Sequence, residues 1–561
     1  MSTRREFLRA AALVPAAWTF GACATTRRGE SFALVITGGT LVDGTGVPPR
    51  RADVGVRAGR IVALGVIDRE RAARHVDARG LVVAPGFVDI HSHSDRTILD
   101  VPGADSRVLQ GYTCEITGNC GGSAAPSAAD AKRPFARVAD YLAELEAARP
   151  AIHQALLVGH GTLRARHVGD VDRALTESEL ALVEHDLEDA LADGAIGLSS
   201  GLEYVPGIYA PPDELVRLAH ATARRGRLYA SHMRSEDARL VEAVDEILAL
   251  ARTTRTRTQV SHLKACGTRN WPKLDVALAR IEAAAGAGFD VRADMYPYTA
   301  YSTGLSILLE KWARDGGDEA LLARLADPVQ RARMRSELAL RVDNEPGGFD
   351  RIAIASELSG ANAAFTGLTI AEIAERTSRE PAEALLQLLV DEKGSVSYVG
   401  HAMSEHDVAR VLAHPLVCVG SDGYVQAVGD TGSQPHPRSF GTAARVLGRP
   451  HLDVCLADTQ PFPFIREASG IHIESIGSLK AGSGLGAIRR KQSPLRGGPI
   501  AGSACRRLHE AHPHPYRRRR NGRRPLCRQP GQVGKFDLRH ARRPGDLEHR
   551  RRRPDQPDRF C

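Results

Sequence analysis

Apolar runs of four to seven residues recur along most of the chain, and the stretches between them follow a helical period. GFVDIHSH, TCEITGNC, ALLVGHG, AIGLSSG, LYASH, TQVSH, FDVRADMYPY, SYVGHAM and LVCVGSD read as buried strands. Continuous apolar strands alternating with helices predict a parallel sheet covered on its outside, an α/β architecture that a (β/α)8 barrel over 85–449 satisfies. The helices are well punctuated. Thr176 with Glu179 makes a capping-box pattern before an amphipathic run that stops at Gly194, and Pro212 opens another that ends near Gly226. Residues 31–84 differ: ALVITGGTLVDGTG, ADVGVRAGRIVALG and ARGLVVAPG are Val/Ile-rich runs broken by Gly and Asp-Gly, which predicts a small β domain.

The polar residues fall at informative places. Nearly every predicted strand ends in His, Cys, Asp, Ser or Tyr, and the C-terminal strand ends of such a barrel build its active site. Core packing accounts for the apolar runs but gives no reason for metal-binding side chains at their ends. His91-Ser92-His93 is weak evidence as bare spacing, since His512-Pro513-His514 repeats it in the tail. Its context is stronger: VVAPGFVDIHSHSD puts both histidines at a strand end, where alternation aims them to one side and toward one cation.

That phrase, together with Gly118-Asn119-Cys120-Gly121, resembles the D-aminoacylase branch of the amidohydrolase superfamily. The resemblance implies a TIM-like metallo-barrel with a small β-sandwich domain formed mainly by the N-terminal segment. It gives Cys120 the place that a carboxylated lysine bridges in other branches, and adds His232 in ASHMRSE, His262 in QVSHLK and Asp422 in VGSDG. It implies Zn²⁺, tightly held by Cys120, His232 and His262, with a weaker second position at His91, His93 and Asp422; thiolate, imidazole and carboxylate suit that ion. Asp422 is then general base and afterwards general acid, since an amide needs its leaving amine protonated. Arg438 in HPRSFG matches a position that can clamp a substrate carboxylate, Lys264 and Tyr204 in GLEYVPG match substrate contacts, and Tyr296 and Ser302 in MYPYTAYST read as helpers where the spacing departs from the family pattern by about one residue. Cys114 has no matching role and reads as packing.

The implied reaction is hydrolysis of N-acyl-D-amino acids, or of dipeptides with a D residue at the C-terminus, to a carboxylate and a free D-amino acid. A cyclic-amide hydrolase of the hydantoinase or dihydroorotase kind is the alternative enzyme, but it would want a bridging lysine in place of Cys120. An inactive, truncated pseudoenzyme is the third reading, and its motive is the tail.

Charge and composition change the picture only at the ends. The 561 residues are 43% hydrophobic and carry a net charge of +8, but residues 501–561 hold 18 Lys+Arg against 6 Asp+Glu, so the body is mildly acidic and nucleic acid is not an expected partner. The nine cysteines form no CxxC pair and imply no disulfide framework. Arg4-Arg5 before Phe7-Leu8 and an apolar run from Ala10 to Phe20, too short to span a bilayer, resemble a twin-arginine signal over 1–24, which implies export to the periplasm. Cys23 resembles a lipoprotein attachment cysteine, implying an anchor at the envelope, while Ala22-Cys23-Ala24 also reads as a cleavage site. The resemblance ends near Arg449. Relatives return to the β domain through a stretch like G-x-I-x-x-G-x-x-A-D-L-V-V-F, which is missing here; 450–561 turn Arg-, Pro-, His- and Gly-rich and read as an aberrant, disordered basic tail. A high-GC coding sequence translated out of frame would give that composition and leave the β domain without its closing strands.

Overall fold

The computed structural model describes residues 31–128, 131–427, 429 and 433–448, with the backbone alone of Ile471–Ser475 and Leu485–Arg490. The signal over 1–24, Cys23, and the tail apart from those two stretches lie outside the described residues.

The Val/Ile and Gly text of the N-terminal segment becomes β1 (Leu34–Thr37), β2 (Thr40–Leu41), β3 (Arg50–Arg51), β4 (Asp53–Arg57), β5 (Arg60–Gly65), β6 (His75–Asp77) and β7 (Val82–Pro85). One sheet runs β5-β4-β1-β6, and β7, β2 and β3 belong to a second. Period-two alternation decides the two faces: Leu34 and Ile36 join Leu41, Val54, Val56 and Val83 in one cluster, while Val35 packs with Phe32 and Ile67 on the other side.

After β7 come the barrel strands β8 (Phe87–Asp89), β9 (Tyr112–Thr117), β10 (His153–Gly159), β11 (Gly197–Gly201), β12 (Leu228–His232), β13 (Arg257–Val260) and β14 (Val291–Met295). Then β15 (Ala300–Gly304), β16 (Ile352–Ile354) and β17 (Ser397–His401) intervene before the last barrel strand, β18 (Val417–Val419). The eight barrel strands run parallel in the order β18-β14-β13-β12-β11-β10-β9-β8. The two end strands meet where the barrel closes, through a parallel bridge of Ser92 with Gly423 and a hydrogen bond from the Asp422 N–H to the His91 carbonyl at 2.8 Å. Closure therefore brings three predicted ligands together.

One predicted strand is placed differently. SYVGHAM was a ninth apolar run for eight places, and β17 leaves the barrel to pair antiparallel with β15 and β16 in a three-stranded sheet. Its buried and exposed residues alternate, as a strand covered on one face requires, whereas β11 is buried at every position.

The tail differs from expectation at the backbone of two stretches. β19 (Ile471–Ser475) and β20 (Leu485–Arg490) form an antiparallel pair, and β20 adds to β7, giving the sheet order β19-β20-β7-β2-β3. The edge of β7 offers unpaired N–H and C=O groups, which recruit any extended segment within reach whatever its side chains.

Helices cover the barrel as the punctuation predicts. In helix Glu177–Asp193 the Thr176 hydroxyl accepts from the Glu179 N–H at 3.3 Å, the Glu179 carboxylate accepts from the Thr176 N–H at 2.8 Å, and Gly194 ends the run at φ 124°. Val183, Leu187, Ala190 and Leu191 make its buried stripe. Each large side chain buried there contributes about 1.5–3 kcal/mol, and Leu187→Ala would cost about 2–5 kcal/mol through the void it leaves.

Candidate metal centre

Six strand-end residues converge at the mouth of the barrel. His91 and His93 follow β8, Cys120 follows β9, His232 ends β12, His262 follows β13, and Asp422 follows β18. Cys120, His262 and Asp422 hold left-handed backbone, with φ of 53°, 34° and 51°, which non-glycine residues adopt only under constraint. For Cys120 the constraint is visible: the loop lies so close to β11 that a side chain at Gly201 would overlap the Cys120 carbonyl oxygen, and one at Gly121 would come within 2.5 Å of the Gly201 nitrogen.

The donor atoms form two groups that share one sulfur. His91, His93, Cys120 and Asp422 make the first; Cys120, His232 and His262 make the second, with donor atoms within 4.8 Å of one another. In the first, Asp422 Oδ1 lies 3.0 Å from His93 Nε2 and 3.4 Å from His91 Nε2. In the second, Cys120 Sγ is 3.5 Å from His262 Nε2, and His91 Nε2 approaches the same sulfur to 3.3 Å.

The outer nitrogens of the imidazoles decide whether a cation fits. His91 Nδ1 is 3.0 Å from Asp294, His232 Nε2 is 3.1 Å from Glu203, and His262 Nδ1 is 2.7 Å from Glu236. The His91 and His232 rings can each donate an outer N–H to a carboxylate and turn the other nitrogen inward, the arrangement in which imidazole serves as a metal ligand, while His262 Nδ1, beside Glu236, is also met by Lys264 Nζ at 2.9 Å. Asp294 also accepts from the His262 N–H at 3.0 Å, so one carboxylate orients parts of both groups. A divalent cation fits this donor set.

The electrostatics agree. Burial alone would raise the Cys120 thiol, but His91 and His262 outweigh it and hold its pKa well below the ordinary value. Burial works the same way on Asp422, and Arg438 and His91 hold its carboxyl well below the usual range. Burial lowers His232, yet Glu236 and Cys120 bring it up to about 10. Negative charge is thus gathered around the point that the imidazoles face.

Of the predicted substrate contacts, Tyr204, Ser302 and Arg438 line a cavity of about 850 Å³ together with Cys120, His93 and Asp422, while Lys264 and Tyr296 are outside its lining. Arg438 pairs with Asp422 Oδ2 at 2.7 Å and donates to the Ser302 carbonyl at 3.0 Å, so Ser302 presents its backbone rather than its hydroxyl to that residue. Lys264 pairs with Glu236 at 2.5 Å. The Tyr204 ring packs 4.5 Å from His232, centroid to centroid, and its hydroxyl accepts from Thr303 at 3.3 Å. Tyr296 is fully buried, with Arg438 5.1 Å and Lys264 5.7 Å from its ring centroid and no hydrogen-bond partner for its hydroxyl among the described residues. Cys114 is half-buried on β9, with its sulfur toward the Glu115 carbonyl.

The six residues expected from the sequence are brought together, but Glu203, Glu236 and Asp294 beside them were not picked out. Each had a signal: Glu203 precedes Tyr204 in GLEY, Glu236 lies four residues after His232, and Asp294 sits near the end of the strand that leads to Tyr296.

Comparison with known proteins bears on this geometry. Residues 74–267 match the amidohydrolase family model. The chain is 36% identical over 431 residues to the N-acyl-D-glutamate deacylase of Alcaligenes xylosoxydans xylosoxydans, covering 75% of this chain and 78% of that protein. It is 35% identical over 444 residues to the D-aminoacylase of the same organism, covering 76% and 81%. Among solved structures, the N-acyl-D-glutamate deacylase of Bordetella bronchiseptica, complexed with zinc and a phosphonate mimic of the tetrahedral intermediate, superposes with a TM-score of 0.63 at 36% identity, covering 75% of this chain and 81% of that one. A D-aminoacylase studied for one-metal activation and second-metal attenuation in its binuclear centre matches with a TM-score of 0.62 at 33% identity, covering 77% and 83%. With more than a third of its residues shared across three quarters of its length, and with the same barrel, this chain belongs to the D-aminoacylase family of amidohydrolases.

Proposed function

We propose that this protein hydrolyses the amide bond of N-acyl-D-amino acids, or of dipeptides with a C-terminal D residue, to a carboxylate and a free D-amino acid. The observation that carries the reading is the set of three imidazoles whose outer nitrogens lie beside Asp294, Glu203 and Glu236 while their inner nitrogens gather with Cys120 and Asp422. Cys120, His232 and His262 would hold Zn²⁺ tightly, and His91, His93 and Asp422 would offer a weaker second position. A cation bound there supplies a Lewis acid for the amide carbonyl and lowers the pKa of water.

The chain's own groups do the rest. Asp422 is kept ionised, so its Oδ1 can accept a proton from the attacking water and pass it to the amide nitrogen as the C–N bond breaks, leaving a neutral amine. Arg438 fixes the rotation of that carboxylate by holding Oδ2. The free carboxylate of an N-acyl amino acid is assigned to Arg438, which lines the main cavity, with Lys264 and Tyr296 buried beside it as supporting groups. Tyr204 packs against His232 and limits the movement of that ligand. The cyclic-amide alternative is disfavoured because Cys120 stands where it would want lysine. The twin-arginine pattern extends the proposal to the envelope: export to the periplasm, with attachment through Cys23 if that residue is acylated.

Paired N-acetyl-D- and N-acetyl-L-amino acids, assayed with added Zn²⁺ and alongside hydantoin, test the reading. Hydrolysis of the D series alone is the expected result. A metal-loaded, folded sample that leaves every N-acyl-D-amino acid intact, or that opens hydantoin instead, overturns it.

A further inference from the structure

Beside the site lies a second cavity of about 430 Å³. Arg234, Arg239, Lys311, Arg314 and Arg341 line it, against three carboxylates, Glu203, Asp237 and Glu310. Most of these cations have counter-ions. Arg341 is paired with Asp237, Arg234 with Glu246 at 2.9 Å, and Lys311 with Asp172 at 3.4 Å. Arg314 and Arg239 form no ion pair among the described residues, and they differ in burial. The Arg239 side chain is exposed at the rim. Arg314 donates from Nη1 to the Glu203 carbonyl at 2.9 Å, while its Nε is shielded from solvent with no hydrogen-bond partner. Burial, with the nearby Arg341 adding to it, holds the Arg314 pKa below its ordinary value.

A largely buried guanidinium without an ion-pair partner is a costly arrangement that a bound anion in the cavity it lines relieves. Half-buried Ile208 and Ile307 also line the cavity, so an aliphatic tail would gain contacts there that a purely inorganic anion does not. We propose that this cavity is a binding site for an aliphatic carboxylate, held by Arg314 and Arg239 through its charge and by Ile208 and Ile307 through its chain. An acid of this class is what deacylation of a longer N-acyl substrate releases, and this source is the only part that rests on the deacylase reading. Occupancy would be felt at the metal centre through Glu203, whose carbonyl accepts from Arg314 and whose carboxylate accepts from His232.

Calorimetric titration of the zinc-loaded full chain with hexanoate, with hexanol as the neutral control, tests this. The expected result is one site for hexanoate that hexanol does not fill, that survives Arg438→Ala in the main cavity, and that weakens about tenfold in Arg314→Gln and about threefold in Arg239→Ala. Absence of binding overturns the proposal. So does binding that Arg438→Ala abolishes, or binding indifferent to both other substitutions. If Arg314→Gln does not fold, Arg239→Ala with the alcohol control decides alone. Binding is read without turnover, so a protein that takes hexanoate here yet hydrolyses nothing would sink the deacylase reading and leave this one standing.

Discussion

His232 Nδ1 and His262 Nε2 face each other at 2.9 Å. His232 Nε2 is committed to Glu203, so a neutral His232 ring brings only a lone pair to this point, while His262 Nδ1 lies between Glu236 and the Lys264 ammonium, 2.9 Å away. Two lone pairs at that distance repel unless a positive charge lies between or beside them. A proton or a cation at this point relieves that repulsion, and a thiolate at Cys120 would favour a soft or borderline metal over a hard one.

Cys120→Ala should therefore empty the tight position. Removing the thiolate should reduce bound zinc from stoichiometric to a small fraction after dialysis, with hydrolysis falling by about three orders of magnitude. Cobalt substitution gives an independent reading: the thiolate-to-metal charge-transfer band should be present in the parent and missing in the variant. Full zinc occupancy in Cys120→Ala would show that the sulfur is not a ligand.

The carboxylates behind the histidines should matter nearly as much. Asp294→Asn and Glu203→Gln keep the shape of the side chain but remove its charge, so the donated N–H is held less firmly and the imidazole becomes less basic. Metal affinity should fall about 10- to 100-fold in each, measured by competition with a chelator, while circular dichroism stays unchanged. Unaltered affinity in both variants would remove the orienting role argued for them.

What the sequence revealed follows from the range over which each signal acts. The residues that converge at the barrel mouth were legible because a strand end fixes direction locally: His232 and His262 each close an apolar run, and alternation relates His91 to His93 without tertiary knowledge. Glu203 and Glu236 were not legible as partners because their roles depend on loops meeting across the barrel, and a carboxylate in a loop reads as surface by default. SYVGHAM misled for a related reason. A one-faced strand and a two-faced strand share an apolar core of three or four residues, and only the partner, antiparallel β15 rather than β14, separates them.

Arg438→Lys should separate charge from geometry. Lysine keeps the positive charge but cannot hold Asp422 Oδ2 and the Ser302 carbonyl together as the planar fork does. The expected outcome is a fall in kcat/KM of about 10- to 100-fold, expressed in both KM and kcat because one guanidinium serves both the substrate carboxylate and the general base. A change in KM alone would mean that Asp422 does not depend on its arginine.

Stability should carry a pH signature from outside the metal centre. Burial pushes the Glu345 carboxyl up to about 7 from an ordinary 4.5, despite Arg341 nearby and the hydrogen bond from the Tyr301 hydroxyl. Between those two values the folded protein keeps a proton that the unfolded chain has released, so the folded state binds more protons and unfolding free energy falls as pH rises. This contribution is complete below about pH 4.5, is lost as pH approaches about 7, and is flat beyond. A shift of that size at a buried group corresponds to about 3–4 kcal/mol. Glu345→Gln cannot titrate, yet its amide oxygen still accepts from Tyr301, so denaturant unfolding of the variant should lack this component while sharing every other pH-dependent term, metal release included. Subtracting the variant's curve from the parent's isolates Glu345. Parallel curves between pH 5 and 7.5 would mean that the carboxyl is ionised in the folded protein, and that Arg341 rather than burial sets its state.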